Sequence, residues 1–309
     1  MRALVVVLVV QLAIGGGFVA LVVTGNLPWV GDDRAPAPVR AAAAAPCADG
    51  RAPRPRTRAF DGRRAFALLE RQVRLGPRPA GSRASRRLAR DLRRRLPGGR
   101  FQPVPGGLRN VVGEVRGRGD GGRWVVGAHY DTKDLPGFVG ANDGASGTAV
   151  LVEVARALAR RPPARDVTFV LFDGEESPRG TPDGRFEQEG LRGSKVAARR
   201  VRGVEAMVLL DFVGDRELSL PREGNSDAAL WAAMRRAAAR AGVGCLFPDE
   251  TQGAISDDHL PYIRRGVPAI DLIDFDFPCW HERCDDLTAV SPRSVDAVGE
   301  AVVELLRRP

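Results

Sequence analysis

Short apolar runs alternate with amphipathic segments along most of this chain, and this alternation constrains the fold more than any other feature. Strand-like runs are predicted at residues 110–115, 124–130, 167–172, 204–212 and 268–273. Helical spacing of apolar residues occurs at 62–74, 85–96, 145–161, 191–200, 227–241, 258–265 and 291–306. This order is typical of an α/β sandwich with a mostly parallel sheet, in which ligands bind beyond the carboxyl ends of the strands.

The amino terminus has the pattern of a targeting segment. Residues 3–24 form a run of 22 residues without a charge, which as a helix is long enough to cross a hydrocarbon layer of ~30 Å. We therefore expect residues 1–31 to be an uncleaved membrane anchor, with a cleaved signal sequence as the alternative. Residues 32–59 are rich in Ala, Pro and Arg and are expected to form a flexible tether, which would place the body outside the cytoplasm.

The charge of the chain is unevenly distributed. The formal net charge is +9, yet residues 34–100 hold 19 arginines against four acidic residues, while residues 101–309 hold 27 basic and 32 acidic residues. The basic stretch is not accompanied by a stripe in which aromatic and basic side chains alternate, so the pattern disfavours nucleic-acid binding. Contact of the basic stretch with anionic lipid or a cell-surface polymer stays open.

The chain has four cysteines, and an even number in an exported protein suggests disulfides. Cys279 and Cys284 are close enough to close a small loop, which leaves Cys47 and Cys245 as partners for each other. Four unpaired thiols are the alternative. The chain contains no CxxC pair, so we do not interpret the cysteines as zinc ligands.

The first chemically suggestive residues follow the strand predicted at 124–130. A strand places alternate residues on one face, so His129 can bind a metal while Asp131 accepts a hydrogen bond from the other ring nitrogen. A single histidine at a strand end is more often structural, and the chain has only three histidines.

Further candidates lie at the ends of the other strands. Asp143 lies in the glycine-flanked loop 140–144, for which a plain turn with a helix cap is the alternative. Glu175 and Glu176 are adjacent at a strand exit, where one can bind a metal and the other can act as general base. Two imidazoles and three carboxylates suit one or two zinc ions, with one carboxylate free to bridge. The predicted ligands are His129, Asp143, Glu176, Asp211 and His281.

From about residue 75 to its end, the chain resembles the zinc aminopeptidase and glutaminyl cyclase family, metallopeptidase family twenty-eight. The resemblance implies a three-layer sandwich with a central, mostly parallel mixed sheet flanked by helices, as one zinc-dependent catalytic domain over residues 60–309. It also implies that Asp143 bridges two zinc ions or holds one, that His129 and Asp211 complete the first site, and that Glu176 and His281 complete the second. In this family Glu175 would transfer protons, and the substrates would be peptide or protein N-termini. The motifs that carry it are 76–78 with 81–82, 129–131, 140–144, 172–176, 209–211, 258–259, 266–268 and 280–281.

The cyclase branch is the closer resemblance, because of segments 129–133, 257–261, 264–268 and 277–281. It implies cyclisation of N-terminal glutamine with release of ammonia, an acyltransferase reaction. Trp280 would wall the substrate pocket, Asp257 would accept a hydrogen bond from the substrate, and Asp131 would complete the catalytic group.

Two features favour the aminopeptidase branch instead. Residues 142–147 have the aminopeptidase form of the loop, and residues 177–189 lack the tryptophan of a cyclase pocket. A non-catalytic ectodomain on the same fold is the third alternative. His259 is expected to be structural or to support a ligand indirectly.

Overall fold

The computed structural model describes Cys47, residues 50–119 and residues 121–308. The predicted anchor at 1–31, and tether residues 32–46, 48 and 49, lie outside the described residues. Within the described part of the chain, no helix combines the length and the apolar character needed to cross a bilayer.

In the described part of the chain six strands form one sheet, and helices precede, separate and follow these strands along the chain. The strands are β1 (Arg100–Val104), β2 (Leu108–Val115), β3 (Arg123–His129), β4 (Asp166–Phe172), β5 (Val204–Leu210) and β6 (Ala269–Leu272). The helices are α1 (Gly62–Val73), α2 (Arg83–Arg95), α3 (Ala145–Arg160), α4 (Phe186–Glu189), α5 (Arg192–Arg200), α6 (Ala228–Ala241), α7 (Leu260–Ile263) and α8 (Pro292–Arg307).

The sheet is mixed, and its strand order is β1-β2-β4-β3-β5-β6. Strands β4, β3, β5 and β6 run parallel to one another, whereas β1 pairs antiparallel with β2 and β2 pairs antiparallel with β4. The carboxyl ends of the four parallel strands therefore meet at one edge, where the sequence places its candidate residues.

Helices cover both faces of the sheet, which gives three layers. Alternate residues of β3 enter different cores: Val126 and Ala128 pack in the larger core, whereas Val125 packs in the smaller one. The larger core contains the buried sides of α1, α2, α3, α6 and α8, and the smaller core contains residues of α5 and α7. The three-layer α/β sandwich with a mixed, mostly parallel sheet is confirmed.

Three elements differ from the sequence-based expectation, and one of them is the four-residue helix α4, which the apolar spacing does not predict. Strand β1 was not predicted, because Pro103 interrupts its pattern; as an edge strand it tolerates a proline that cannot donate a ladder hydrogen bond. The helix predicted at 258–265 is only the single turn Leu260–Ile263, since Pro261 stands in its first turn and Gly266 follows with a φ of 75°.

The packed body begins before the boundary predicted at residue 60. Ala52 is buried, the Arg56 amide donates to the Ala241 carbonyl at 2.8 Å, and Cys47 is bonded to Cys245. Residues 50–59 therefore do not behave as a free tether. Short side chains such as Ala52 carry no periodic signal, so this packing cannot be seen in the sequence pattern.

The Cys47–Cys245 disulfide links residues 198 positions apart and is expected to stabilise the fold. Removal of a native disulfide typically costs about 2–5 kcal/mol, and 1 kcal/mol shifts the Tm of a domain of this size by about 2–4 °C. We expect the double variant Cys47→Ser/Cys245→Ser to lower the Tm by roughly 5–20 °C in calorimetry. A stabilising role would be contradicted if the Tm of the double variant lay within about 2 °C of that of the unaltered protein, because a loss of only 1 kcal/mol already lowers the Tm by about that much.

Candidate metal centre

The parallel strands bring most of the predicted ligands to one edge of the sheet. His129 is the last residue of β3, Glu176 lies four residues beyond β4, and Asp211 follows β5 directly. Because β3 lies between β4 and β5, these three ligands come from adjacent strands. Asp143 comes from the loop that leads into α3, and His281 comes from the turn after β6.

Two groups of three side chains converge, and Asp143 belongs to both. In the first group, His129 Nε2 lies 3.2 Å from Asp143 Oδ1 and 3.3 Å from Asp211 Oδ1. In the second group, His281 Nε2 lies 3.6 Å from Asp143 Oδ2 and 3.3 Å from Glu176 Oε1. The two oxygens of Asp143 thus face different histidines, as a bridging carboxylate requires.

The donor atoms of these groups fit a metal ion better than they fit each other. Among the described residues, both ring nitrogens of His129 and Oδ2 of Asp143 are buried without a hydrogen-bond partner. Buried polar atoms are otherwise almost always paired, so His129 Nε2 and Asp143 Oδ2, which face the two ligand groups, need another partner. Imidazole nitrogens with carboxylate oxygens are a donor set that zinc accepts, and these side chains would hold it.

Electrostatics at this edge also favour a bound cation. Burial and the charge of neighbouring Glu176 raise the pKa of Glu175 well above its usual value. Burial raises the pKa of Asp211 to about 7, although His129 opposes the shift. A cation among these carboxylates would relieve the cost of burying their negative charges together.

Asp131 supports the centre without entering the pocket. The backbone amides of Glu175 and Glu176 each donate to one of its oxygens at 3.3 Å, and Oδ1 lies 3.8 Å from His129 Nδ1. Its side chain is fully buried and does not line the cavity. These hydrogen bonds orient the turn that carries both glutamates, and a catalytic role for Asp131 stays a prediction.

A cavity of about 470 Å³ opens over the second ligand group. Glu175 and Asp257 both line it, and Oδ2 of Asp257 is buried without a partner among the described residues. Burial raises the pKa of Asp257. Trp280 forms part of the rim; it is 46% exposed and stacks on the His281 ring with centroids 4.4 Å apart.

Two residues that support the ligands had no predicted role. Lys133 donates a hydrogen bond to Glu176 Oε2 at 2.9 Å. Burial alone would raise the pKa of Glu176, but the contacts with His281 and with Lys133 outweigh burial and lower this pKa. Lys133 is one of only two lysines in the chain, and that scarcity was the available signal. Asp285 accepts hydrogen bonds from the backbone amides of Asn142 and Asp143 at 2.7 and 3.0 Å. No local sequence pattern predicts this contact.

The motif residues Arg78 and Gly144 shape the base of the centre. The Arg78 guanidinium is buried and donates to four backbone carbonyls, those of Gln72, Gly76, Val139 and Gly140. Burial lowers its pKa to about 10, so it carries positive charge beneath the acidic cluster. Gly144 has a φ of 79°, and a Cβ there would lie 2.9 Å from the His129 ring, so only glycine fits.

His259 lies outside both ligand groups. It is fully buried, with Nε2 3.2 Å from Glu223 Oε2 and Nδ1 3.7 Å from Asp271 Oδ2. This placement agrees with the expectation that His259 is not a ligand.

With this geometry in place, comparison with known proteins identifies the family. Residues 110–306 match the model of peptidase family M28, and the chain belongs to that family. The glutaminyl-peptide cyclotransferase of Bothrops jararaca is 30% identical over 217 residues, 56% of this chain and 58% of that protein. The chain thus spans little more than half the length of this curated relative.

Two solved structures are similar over most of their length. The glutaminyl cyclase of Porphyromonas gingivalis superposes with a TM-score of 0.71 at 29% identity, covering 81% of this chain and 99% of that one. A leucine aminopeptidase precursor from Bacteroides thetaiotaomicron gives a TM-score of 0.71 at 28% identity, covering 81% and 98%. The fold alone therefore does not separate the two activities.

Zinc is expected to stabilise the protein through Asp143. A ligand at 100 times its Kd adds about 2.7 kcal/mol, which raises the Tm by roughly 5–11 °C. In Asp143→Asn this zinc-dependent shift should vanish, because the residue shared by both ligand groups loses its charge. Asp183→Asn is the matched control, since Asp183 lines the same cavity but is exposed. An undiminished zinc shift in Asp143→Asn would rule out this assignment.

Proposed function

We propose that the protein is a zinc-dependent glutaminyl-peptide cyclotransferase that acts on peptide N-termini. Membership of peptidase family M28 and the likeness to proteins named glutaminyl cyclase support this assignment. The observation that carries it is the pair of buried carboxyl groups, Glu175 and Asp257, that face one cavity beside the ligand group of Asp143, Glu176 and His281.

The cavity has the chemistry needed for one N-terminal residue. Its volume of about 470 Å³ lies within the range of small-molecule sites. Asp257 lines the cavity, and its carboxyl group would accept a hydrogen bond from the substrate amine or amide. Trp280 provides an apolar wall at the entrance of the cavity. The rest of the peptide can extend over this wall into solvent.

Cyclisation joins the substrate's α-amine to the carbonyl carbon of its own side-chain amide. Zinc, when bound, polarises that carbonyl. Glu175 accepts the proton that the attacking amine loses and delivers it to the departing nitrogen, which leaves as ammonia. A carboxyl whose pKa is raised by burial and by Glu176 is suited to both halves of this transfer.

The ligand group that faces the cavity is the proposed catalytic zinc position. Asp143, Glu176 and His281 all line the cavity, whereas His129 does not. We propose that one zinc ion there suffices for cyclisation. The group of His129, Asp143 and Asp211 would hold a second ion when one binds.

A zinc aminopeptidase is the second candidate, and the geometry of Asp143 favours it. Its two oxygens face two complete ligand groups, which is the arrangement of a two-ion hydrolase. The structural likeness to a leucine aminopeptidase precursor points the same way. In this reaction Glu175 would accept a proton from the attacking water and pass it to the leaving amine.

We also propose that the enzyme works outside the cytoplasm. The two disulfides are compatible with an oxidising compartment. The apolar run at 3–24 is the proposed membrane anchor, or a secretion signal if it is cleaved.

Loss of the proton carrier should abolish activity without loss of metal. We expect Glu175→Gln to lower kcat about 10²–10⁴-fold, the usual effect of removing a general base. Zinc content should stay unchanged, because Glu175 belongs to neither ligand group. Asp183→Asn serves again as the control. Activity near that of the unaltered enzyme in Glu175→Gln would exclude the proposed role.

Paired substrates should separate the two candidate activities. A glutaminyl dipeptide should release ammonia and yield a cyclised product, while a leucyl chromogenic amide should stay intact. Both assays use one preparation, with Glu175→Gln as the blank. Release of leucine without cyclisation would establish the aminopeptidase instead, and inactivity towards both substrates with zinc bound would refute both candidates.

A further inference from the structure

His281 differs from the other metal-ligand candidates in how it is held. His129 ends a strand and Asp211 directly follows one, and both are buried, whereas His281 lies in a succession of turns. Its side chain is 25% exposed. The position of this ligand therefore depends on the loop that carries it.

That loop is anchored on both sides but held only locally between the anchors. Phe277 is buried against Phe212 and Ile273, and Asp285 is bonded to the amides of Asn142 and Asp143. In between, the Trp280 amide donates to Phe277 and the Glu282 amide donates to Cys279. Among the described residues, the one hydrogen bond from residues 278–284 to a distant segment is from Arg283 Nε to the Pro136 carbonyl, and it is exposed.

The backbone of His281 is in an unfavourable conformation. Its φ is 55°, in the left-handed region that non-glycine residues seldom adopt. Such a conformation persists only where the surroundings enforce it. The His281 ring stacks on Trp280 with centroids 4.4 Å apart and meets Phe138 edge-on at 6.0 Å. These contacts restrain the side chain, whereas the backbone conformation is restrained only by the loop.

One covalent bond spans this stretch. Cys279 and Cys284 are disulfide-bonded with their Cα atoms 5.4 Å apart, and the ring that they close contains Trp280 and His281. We propose that this disulfide is a positioning device for His281, so that the ligand group of Asp143, Glu176 and His281 binds zinc tightly only in the oxidised protein. This inference rests on the proposed function, because it concerns the same zinc position.

Reduction would reverse the effect by ordinary thiol–disulfide exchange. A dithiol reductant attacks one sulfur, and Cys284 is the exposed one. The Cys279–Cys284 bond breaks, both cysteines become thiols, and the dithiol is oxidised to its cyclic disulfide. The backbone at His281 is then free to leave the left-handed conformation, and the His281 imidazole moves away from Glu176.

The test compares two matched double variants of the full chain. Zinc affinity is measured by competition with a chelator, and the ligand field is measured from the visible absorption of bound cobalt(II). Cys279→Ser/Cys284→Ser should weaken zinc binding about 10–100-fold, as loss of a supporting contact does, and should alter the cobalt spectrum. Cys47→Ser/Cys245→Ser should lower the Tm more and leave zinc affinity unchanged, because that disulfide lies elsewhere.

A redox arm covers the case in which the first variant does not fold. In Cys47→Ser/Cys245→Ser the remaining disulfide is the only one, so treatment with a dithiol acts on it alone. Reduction should weaken zinc affinity by the same factor at unchanged far-UV circular dichroism, and reoxidation should restore it.

Several results would overturn the inference. Unchanged zinc affinity after removal or reduction of Cys279–Cys284 is one, and equal losses in the two double variants would indicate general destabilisation instead. An unaltered protein that binds zinc but processes neither the glutaminyl nor the leucyl substrate would refute the proposed function alone. An unaltered, oxidised protein without zinc affinity would refute both.

Discussion

Buried negative charge at the sheet edge is the constraint on which the rest of the structure depends. Five buried acidic side chains meet there: Asp131, Asp143, Glu175, Glu176 and Asp211. Removing charges from water costs several kcal/mol for each ion unless a counter-charge is close. Arg78 and Lys133 supply positive charge next to this cluster, yet buried atoms of His129 and Asp143 still have no hydrogen-bond partner among the described residues. A divalent metal is the partner that completes this arrangement.

The sheet topology explains why the charges meet. His129 and Asp211 lie at the ends of adjacent parallel strands, so the backbone ladder fixes their spacing, whereas Glu176 is carried by the turn that follows β4. Asp143 is placed by Asp285, and His281 is placed by a turn closed by a disulfide. The centre therefore combines a rigid part set by strands with a part set by local contacts, and the cavity opens over the second part.

The alternation of apolar runs was sufficient to predict the layered fold and the edge at which the site lies, because strand ends of a parallel sheet converge whatever the loops do. Histidine scarcity made His129 and His281 conspicuous. The resemblance to the family supplied the pairing of ligands around Asp143. These signals are local or compositional, and each can be seen in one sequence.

Other features depend on long-range contacts and carry no local signal. Asp285 acts on a loop more than 140 residues away, and Ala52 is buried in the larger core, most of whose residues come much later in the chain. Strand β1 is specified by its pairing with β2 and not by its own residues. The contacts of Asp131 with the backbone amides of another strand end are likewise invisible in a motif.

Side chains that are distant in the sequence form one divalent-metal centre at the edge of the sheet. Anomalous X-ray diffraction at the zinc absorption edge, from crystals of the protein grown with zinc, tests it most directly. The account predicts an anomalous peak in contact with Asp143, Glu176 and His281. Crystals that show no peak there, or a peak only at surface residues, would contradict it.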